Sequence, residues 1–130
     1  MKIKSQYTFQ DTLSRIHSHL EEKGVKVFAT IDHQAAARSA GLEMLATTVL
    51  IFGNPKAGTP LMIAAPDFSL ELPLRVLIRE DSDNGAVWVT MNAAATLEGK
   101  HCLPLGMTDK LVPAEHLIAA ALGASWLPDQ

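Results

Sequence analysis

The sequence is poor in cysteine, in aromatic residues and in long apolar runs, and each shortage excludes a class of protein. Its one cysteine, Cys102, cannot form a disulfide within the chain, which is typical of proteins from reducing compartments. No apolar run approaches the roughly 20 residues that a membrane-spanning helix needs, and residues 1–6 lack the apolar stretch of a secretory signal. We therefore expect a cytoplasmic protein without a membrane partner.

Clustered cations are also missing. The chain has 11 Lys and Arg against 14 Asp and Glu, which gives a net charge of −3, and no block of Lys or Arg stands out. Proteins that bind the phosphate backbone depend on such clusters, so we expect no nucleic-acid partner. The sequence also lacks a Gly-x-Ser-x-Gly elbow and the Gly-Lys-Ser/Thr ending of a phosphate loop, so neither serine-hydrolase nor phosphate-loop chemistry is predicted.

Histidine and cysteine do not gather in the pattern of a metal site. His17 and His19 are two residues apart on a predicted helix, so their side chains point about 200° apart. His101 and Cys102 are adjacent, but the third and fourth ligands of a zinc site are missing. We expect no metal within the chain, no cofactor and no catalytic residue, and we interpret Cys102 as an unreactive thiol. A metal shared between two subunits stays open as an alternative.

What the sequence does have is enough apolar material for a core. Of its 130 residues 48% are apolar and only 5% aromatic, so the core is expected to be mainly aliphatic and to bury roughly two-thirds of the unfolded surface. We predict a single domain over residues 1–130, with a C-terminal tail over 124–130 whose Trp126 packs back on the domain.

Hydrophobic periodicity in the first half predicts strands that alternate with helices. Strands are predicted over 3–7, 25–31 and 47–52, and helices over 9–23, with Thr8 as N-cap, and over 33–40, with Asp32 as N-cap. The strand over 47–52 is apolar without alternation, which indicates a central strand covered on both faces.

The second half predicts a hairpin between helices. A helix begins after Asn54 or after Thr59, since each precedes a proline. The later elements are two strands over 74–80 and 86–91 joined by a loop with Asn-Gly, a short helix from Asn92 to Gly99, a loop over 100–112 and a last helix from Pro113. The predicted order β-α-β-α-β-α-β-β-α-α is that of an α+β two-layer sandwich, with about five strands in a mixed or antiparallel sheet and helices mainly on one face.

Three segments of the chain resemble one known family. Residues 28–37, residues 50–62 with Asn54-Pro55-Lys56 at their centre, and residues 72–78 with the hairpin after them are similar to hallmarks of the domain of unknown function 302 family. The resemblance covers about residues 5–122.

The resemblance implies a small α+β sandwich, known in bacteria and archaea and often paired as a homodimer. It implies no activity. Family members often have Asp-Pro after the residue that matches Asn92, where this chain has Ala93-Ala94, so a site lined by that turn would be altered here.

The strongest candidate site lies at two strand-to-helix turns. Asp32 and His33 follow one predicted strand and Asn54 and Lys56 follow the next, with Thr59 one turn later. Free backbone N–H groups at such turns favour anions. If the two turns meet in one hollow, these residues bind a small ligand.

Three functions are compatible with this pattern. The first is a homodimeric binding module for a small anionic or amphipathic ligand, which we prefer. The second is an enzyme in which Asp32 and His33 act as an acid/base pair and Lys56 holds an anion. The third is a purely structural partner that dimerises through exposed apolar surface. A simpler interpretation also remains, in which Asp32 and Asn54 only cap helices, each cap being worth about 1 kcal/mol.

Overall fold

A computed structural model of the chain describes residues 1–82 and 84–124. Within them the chain forms five strands and four α-helices, in the order β1 (Lys2–Ser5), α1 (Phe9–Glu22), β2 (Lys26–Asp32), α2 (His33–Ser39), β3 (Thr47–Gly53), α3 (Pro55–Ala64), β4 (Leu74–Glu80), β5 (Val87–Thr90) and α4 (Val112–Ala121). Short 3₁₀ helices lie in the connections at Pro66–Glu71, Ala94–Leu97, Lys100–Cys102 and Met107–Leu111. The prediction for Trp126 falls outside the described residues.

Local sequence signals account for the first helix. The Thr8 side chain accepts a hydrogen bond of 3.1 Å from the backbone N–H of Asp11, which caps α1 as predicted. Thr12, Ile16 and Leu20 are the buried residues of α1, and their spacing of four places them on one helical face. The helix therefore begins at the predicted residue and ends within one residue of the predicted end.

All neighbouring strands in the sheet are antiparallel, in the order β1-β5-β4-β3-β2. The predicted hairpin is confirmed, since β4 pairs with β5 and β4 has the predicted bounds. The predicted α+β class with a sheet of about five strands is likewise confirmed.

The main core lies between α1, α4 and one face of the sheet, so helices cover mainly one face, as predicted. Its buried residues on the sheet are Leu50, Phe52, Val76, Ile78, Val87 and Val89, and the helices contribute Ile16, Leu20, Ile118, Ala121 and Leu122. A second cluster, around Leu61 and Phe68, lies under α3 and the 3₁₀ helices.

Among the described residues, no layer of helices lies over the other face of the sheet, and we call it the uncovered face. In an antiparallel pair, residues directly opposite each other share a face, and the register therefore assigns the strand residues of the uncovered face as Lys2, Lys4, Lys26, Ala29, Ile31, Thr47, Val49, Ile51, Gly53, Arg75, Leu77, Arg79, Trp88 and Thr90. Phe28, in the β2 bulge, joins them, since its ring lies 3.4 Å from where a Cβ on Gly53 would stand.

The expectation that β3 is covered on both faces is wrong. Burial alternates along β3: Leu50 and Phe52 are fully buried, whereas Val49 and Ile51 are only half-buried. The run is apolar on both sides, as the sequence says, but the helices in the described part of the chain pack on only one side of it. Two half-buried aliphatic side chains therefore lie at the centre of the uncovered face.

Two expectations for the C-terminal third also need correction. Asn92 does not cap a helix, because the segment that follows is a 3₁₀ helix, Ala94–Leu97, that has no side-chain cap. Residues 100–112 are not mainly loop, because left-handed Gly99 and Gly106 (φ 73° and 86°) each lead into a further 3₁₀ helix.

Because the core lies on one face of the sheet, neighbouring residues of β3 contribute unequally to the free energy of unfolding. Leu50→Ala should lower the free energy of unfolding by about 2–5 kcal/mol, since the side chain is fully buried. Val49→Ala should lower it by only about 1 kcal/mol, because its side chain is half-buried. Urea denaturation of dilute protein measures both, and equal losses would contradict a core on one face alone.

Candidate functional site

Both turns singled out in the sequence are helix caps. The Asp32 carboxylate accepts a hydrogen bond of 2.9 Å from the backbone N–H of Ala35, and the Asn54 side-chain oxygen accepts one of 3.0 Å from that of Lys56. His33 and Lys56 are exposed residues of the first turns. The two predicted N-caps are confirmed.

The second cap signal, Thr59 before Pro60, does not start a helix. α3 begins at Pro55 and continues through Pro60. Thr59 is therefore an exposed residue within the helix.

The expectation that the two turns meet in one hollow is wrong. β2 and β3 are antiparallel neighbours, with Asp32 opposite Thr48 and Lys26 opposite Gly53. The C-terminal end of β2 therefore lies beside the N-terminal end of β3. Asp32 and Asn54 are separated by the length of the strand, about 20 Å at the usual rise per residue.

This separation also removes the proposed acid/base site. A catalytic group must come within hydrogen-bond reach of the reacting atom, and no single substrate atom lies within reach of both His33 and Lys56. Capping accounts for the placement of Asp32 and Asn54 without a ligand.

A contact that the sequence did not reveal joins two 3₁₀ helices. The Nε2 atom of His101 lies 2.8 Å from a carboxylate oxygen of Glu71, and the ring of Phe68 meets the His101 ring edge-on at 6.3 Å. The hydrogen bond from His101 holds the pKa of Glu71 below its ordinary value, and the charge of Lys100 adds to this. The partners are 30 residues apart and no periodic pattern links them.

Residues His101 and Cys102 have an uncommon backbone conformation. Their φ angles are 54° and 63°, in the left-handed region that non-glycine residues rarely adopt. Cys102 is exposed. The bond between His101 and Glu71 connects this turn to the 3₁₀ helix Pro66–Glu71.

Glu115 of α4 is a buried acid that the sequence pattern did not reveal. It is 1% exposed, and its carboxylate accepts a hydrogen bond of 2.5 Å from the backbone N–H of Ala94. A proline at position 94, which the family resemblance leads one to expect, has no N–H to donate. The departure at Ala93-Ala94 thus supplies the donor for the buried carboxylate.

The uncovered face of the sheet is a further candidate surface, and it has two halves. The apolar half consists of Phe28, Ile31, Val49, Ile51 and Leu77. Phe28 is 47% and Ile31 38% exposed. Exposed apolar surface of this kind marks binding sites for proteins or ligands.

The cationic half consists of Lys2, Lys4, Arg79 and Trp88. Trp88 lies directly opposite Lys4 on one side and Arg79 on the other, and Nζ of Lys2 is 4.8 Å from the centroid of the Trp88 ring. Among the described residues, none of these three cations forms an ion pair with a carboxylate.

Two open hollows lie elsewhere. One, of about 420 Å³, lies between β1, β5 and the start of α1, and the other, of about 260 Å³, lies between α1 and the edge of the sheet near Thr30. Neither is lined by a residue of the predicted site. In residues 1–82 and 84–124, no group of three or more His, Cys, Asp or Glu is arranged to hold a metal ion, and no helix has the length and apolar character to cross a membrane.

Comparison with known proteins gives one family. The model of the family described as "Domain of unknown function DUF302" matches residues 1–120. A solved structure, the uncharacterized conserved protein DUF302 from Bacillus stearothermophilus, has the same fold, with a TM-score of 0.79 and 18% identity over 95% of this chain and 94% of that chain.

Curated relatives carry a different name. The Fluoride-specific ion channel FluC 1 of Brucella suis biovar 1 is 39% identical over 103 residues, which are 79% of this chain and 40% of the relative. The Fluoride-specific ion channel FluC 2 of Brucella melitensis biotype 1 is also 39% identical over 103 residues, 38% of its length. The chain thus spans well under half of each relative.

The separation of the two turns predicts additive effects. Asp32→Ala and Asn54→Ala should each lower the free energy of unfolding by about 1 kcal/mol through loss of a cap. The double variant should show their sum within about 0.5 kcal/mol, because sites that share no partner do not couple. Denaturant unfolding of the three variants measures this, and a larger coupling energy would mean that the turns interact.

The lowered pKa of Glu71 predicts a pH dependence. Its carboxylate stabilises the fold above the ordinary value of 4.5, and this contribution is lost as the pH falls through the lower folded-state pKa. Glu71→Gln should therefore reduce stability at neutral pH and flatten its decline in acid, measured by thermal melts from neutral to acidic pH. Glu43→Gln, at an exposed position, is the matched control. An unchanged acid profile in Glu71→Gln would contradict the contact.

Proposed function

The chain belongs to the family of domain of unknown function DUF302, and we propose that it works as a homodimeric binding module rather than as an enzyme. In the dimer, the apolar half of one uncovered face packs against the apolar half of a second copy. The observation that carries the proposal is the pair Val49 and Ile51, which lie on an interior strand without a covering layer.

The energy available to such a dimer is moderate. Fully burying an aliphatic or aromatic side chain contributes roughly 1.5–3 kcal/mol. On β2 and β3 the apolar half has Phe28 and Ile31, 47% and 38% exposed, and the half-buried Val49 and Ile51. Those of two copies together offer at most about three full burials, or roughly 4–9 kcal/mol. Association costs about 4–15 kcal/mol, so the dimer should form and dissociate with protein concentration.

Charge decides how two copies can overlap. A complete face-to-face overlap would place Lys2, Lys4 and Arg79 against either apolar side chains or the same cations of the second copy, and burial of unpaired charge is costly. An offset overlap of β2 and β3 alone leaves the cationic half of each copy open. We therefore propose a two-fold axis that runs along the strands between β2 and β3.

The ligand that this module would take is anionic or amphipathic. Support comes from the cationic half, whose three cations form no ion pair with any carboxylate in the described part of the chain. The curated relatives are named for fluoride, itself a small anion. Since this chain corresponds to only 40% of such a relative, we propose a role beside anion handling and not as a channel.

We further propose that the module resides in the cytoplasm of a bacterium. The exposed, unpaired thiol of Cys102 fits a reducing compartment. The relatives reported above are bacterial.

The dimer is tested by the mass of the protein in solution. Ile51→Glu should convert a concentration-dependent dimer to a monomer, because a carboxylate would be buried in the centre of the interface. Sedimentation equilibrium measures this, with circular dichroism to check that the variant is folded. Lys23→Glu, an exposed change at the end of α1, is the control and should stay dimeric. A wild-type protein that is monomeric at every concentration would refute the proposal.

A further inference from the structure

We propose that the cationic half of the uncovered face binds the anionic head group of a small amphipathic ligand, whose apolar body lies on Leu77, the residue of the apolar half that the offset dimer leaves open. This inference rests on the proposed function and gives its ligand a class and a position. The ligand is a molecule with a phosphate or carboxylate at one end and an apolar chain or ring at the other.

The charges of the face select an anion. Every charged strand residue of the uncovered face is a Lys or Arg, although the whole chain has a net charge of −3. Lys2, Lys4 and Arg79 have no carboxylate partner in the described residues. Arg75 lies at the opposite end of β4 from Arg79, and its charge acts on Glu71. The cationic half therefore lacks a carboxylate counter-ion within the part of the chain that the structure describes.

The strand register places three cations around one tryptophan ring. Lys4, Trp88 and Arg79 lie side by side on adjacent strands, so the two outer residues are about 10 Å apart at the backbone. Their long side chains can close over the Trp88 ring, where the ammonium group of Lys2 already lies 4.8 Å from the ring centroid. A phosphate or carboxylate beside that ammonium group would accept hydrogen bonds from all three cations, and Arg79 can donate two of them side by side.

The position of Leu77 gives the apolar body its direction. Leu77 is two residues from Arg79 on β4 and lies directly opposite Val49 on β3. From the Trp88 ring to Leu77 the face crosses one strand spacing and two residues along β4, about 8 Å. A chain of roughly that length has its head among cations and its body on the side chain of Leu77. A purely polar anion would leave the apolar contacts unused.

The proposed dimer makes the site concave. In the offset arrangement the second copy stands on β2 and β3, and its edge forms a wall beside the cationic half. The ligand then contacts the sheet surface of one copy below it and the sheet edge of the second copy beside it. Loss of the dimer should therefore weaken binding, whereas loss of the cations should leave the dimer intact.

A single-stranded nucleic acid is the less favoured occupant of this surface. Such binders combine a long cationic groove with several aromatic platforms. Here one tryptophan and three cations occupy an area only a few strands wide, which suits one head group.

The probe for the test is octyl phosphate, used below its micelle threshold. Titration is followed by calorimetry and by the fluorescence of Trp88 in a Trp126→Phe background, where Trp88 is the one remaining tryptophan. Octyl glucoside, inorganic phosphate and sodium fluoride are the comparison ligands. The expected result is saturable binding of octyl phosphate that is at least about tenfold tighter than that of each comparison ligand, since each lacks either the charge or the apolar body.

Variants then separate this site from the dimer. Lys4→Glu with Arg79→Glu should weaken the binding of octyl phosphate at least about tenfold, because two attractive charges become repulsive, and the protein should still sediment as a dimer. Lys4→Gln with Arg79→Gln is a milder second pair, in case the reversal impairs folding. Lys23→Glu is the control for net charge.

The two proposals fail in different ways. Octyl phosphate affinity that is unchanged in both cation pairs, or matched by octyl glucoside, would overturn the ligand site even if the protein is a dimer. Cation-dependent binding by a wild-type protein that is always monomeric would support the site and refute the dimer. Equal responses to octyl phosphate, inorganic phosphate and fluoride would overturn the requirement for an apolar body.

Discussion

The main constraint on this structure is that helices pack on only one face of an antiparallel sheet whose strands carry apolar residues on both faces. Helices α1 and α4 bury one face, and Leu50, Phe52, Val76 and Ile78 form the centre of the core there. The opposite face keeps its aliphatic residues on β3 and receives no helix layer from the residues that the structure describes. Because an apolar surface in water is unfavourable in proportion to its area, this face is where a second copy or a ligand gains most. Both functional proposals follow from that imbalance.

Antiparallel pairing also decides which residues can act together. In parallel sheets the ends of neighbouring strands meet at one edge, and ligands bind there. In this sheet successive strands run in opposite directions, so Asp32 and Asn54 lie at opposite ends of one strand pair. The same pairing places Lys4, Trp88 and Arg79 in one row, although they come from three different strands. The strand pairing thus separates Asp32 from Asn54, which the sequence had suggested as one site, and brings together Lys4, Trp88 and Arg79.

Polar contacts over long separations hold the C-terminal third. Glu71 and His101 connect two 3₁₀ helices, and the carboxylate of Glu115 receives the backbone N–H of Ala94. A buried carboxylate is tolerated only where a donor meets it. The segment over 94–111 therefore takes its shape from partners on other elements more than from its own periodicity. Such partners explain why a segment interpreted as loop is ordered into short helices.

The sequence by itself determined the local structure. Thr8, Asp32 and Asn54 are caps because their side chains accept hydrogen bonds from backbone N–H groups two or three residues away. Interactions over such short separations can be predicted from the amino-acid sequence. The same is true of β4, of the hairpin after it and of the α+β class. Strand order, direction and register were decided only in the tertiary structure, because pairing joins residues that lie far apart in the chain. For that reason the uncovered face, its row of cations and the separation of the two turns became visible only there.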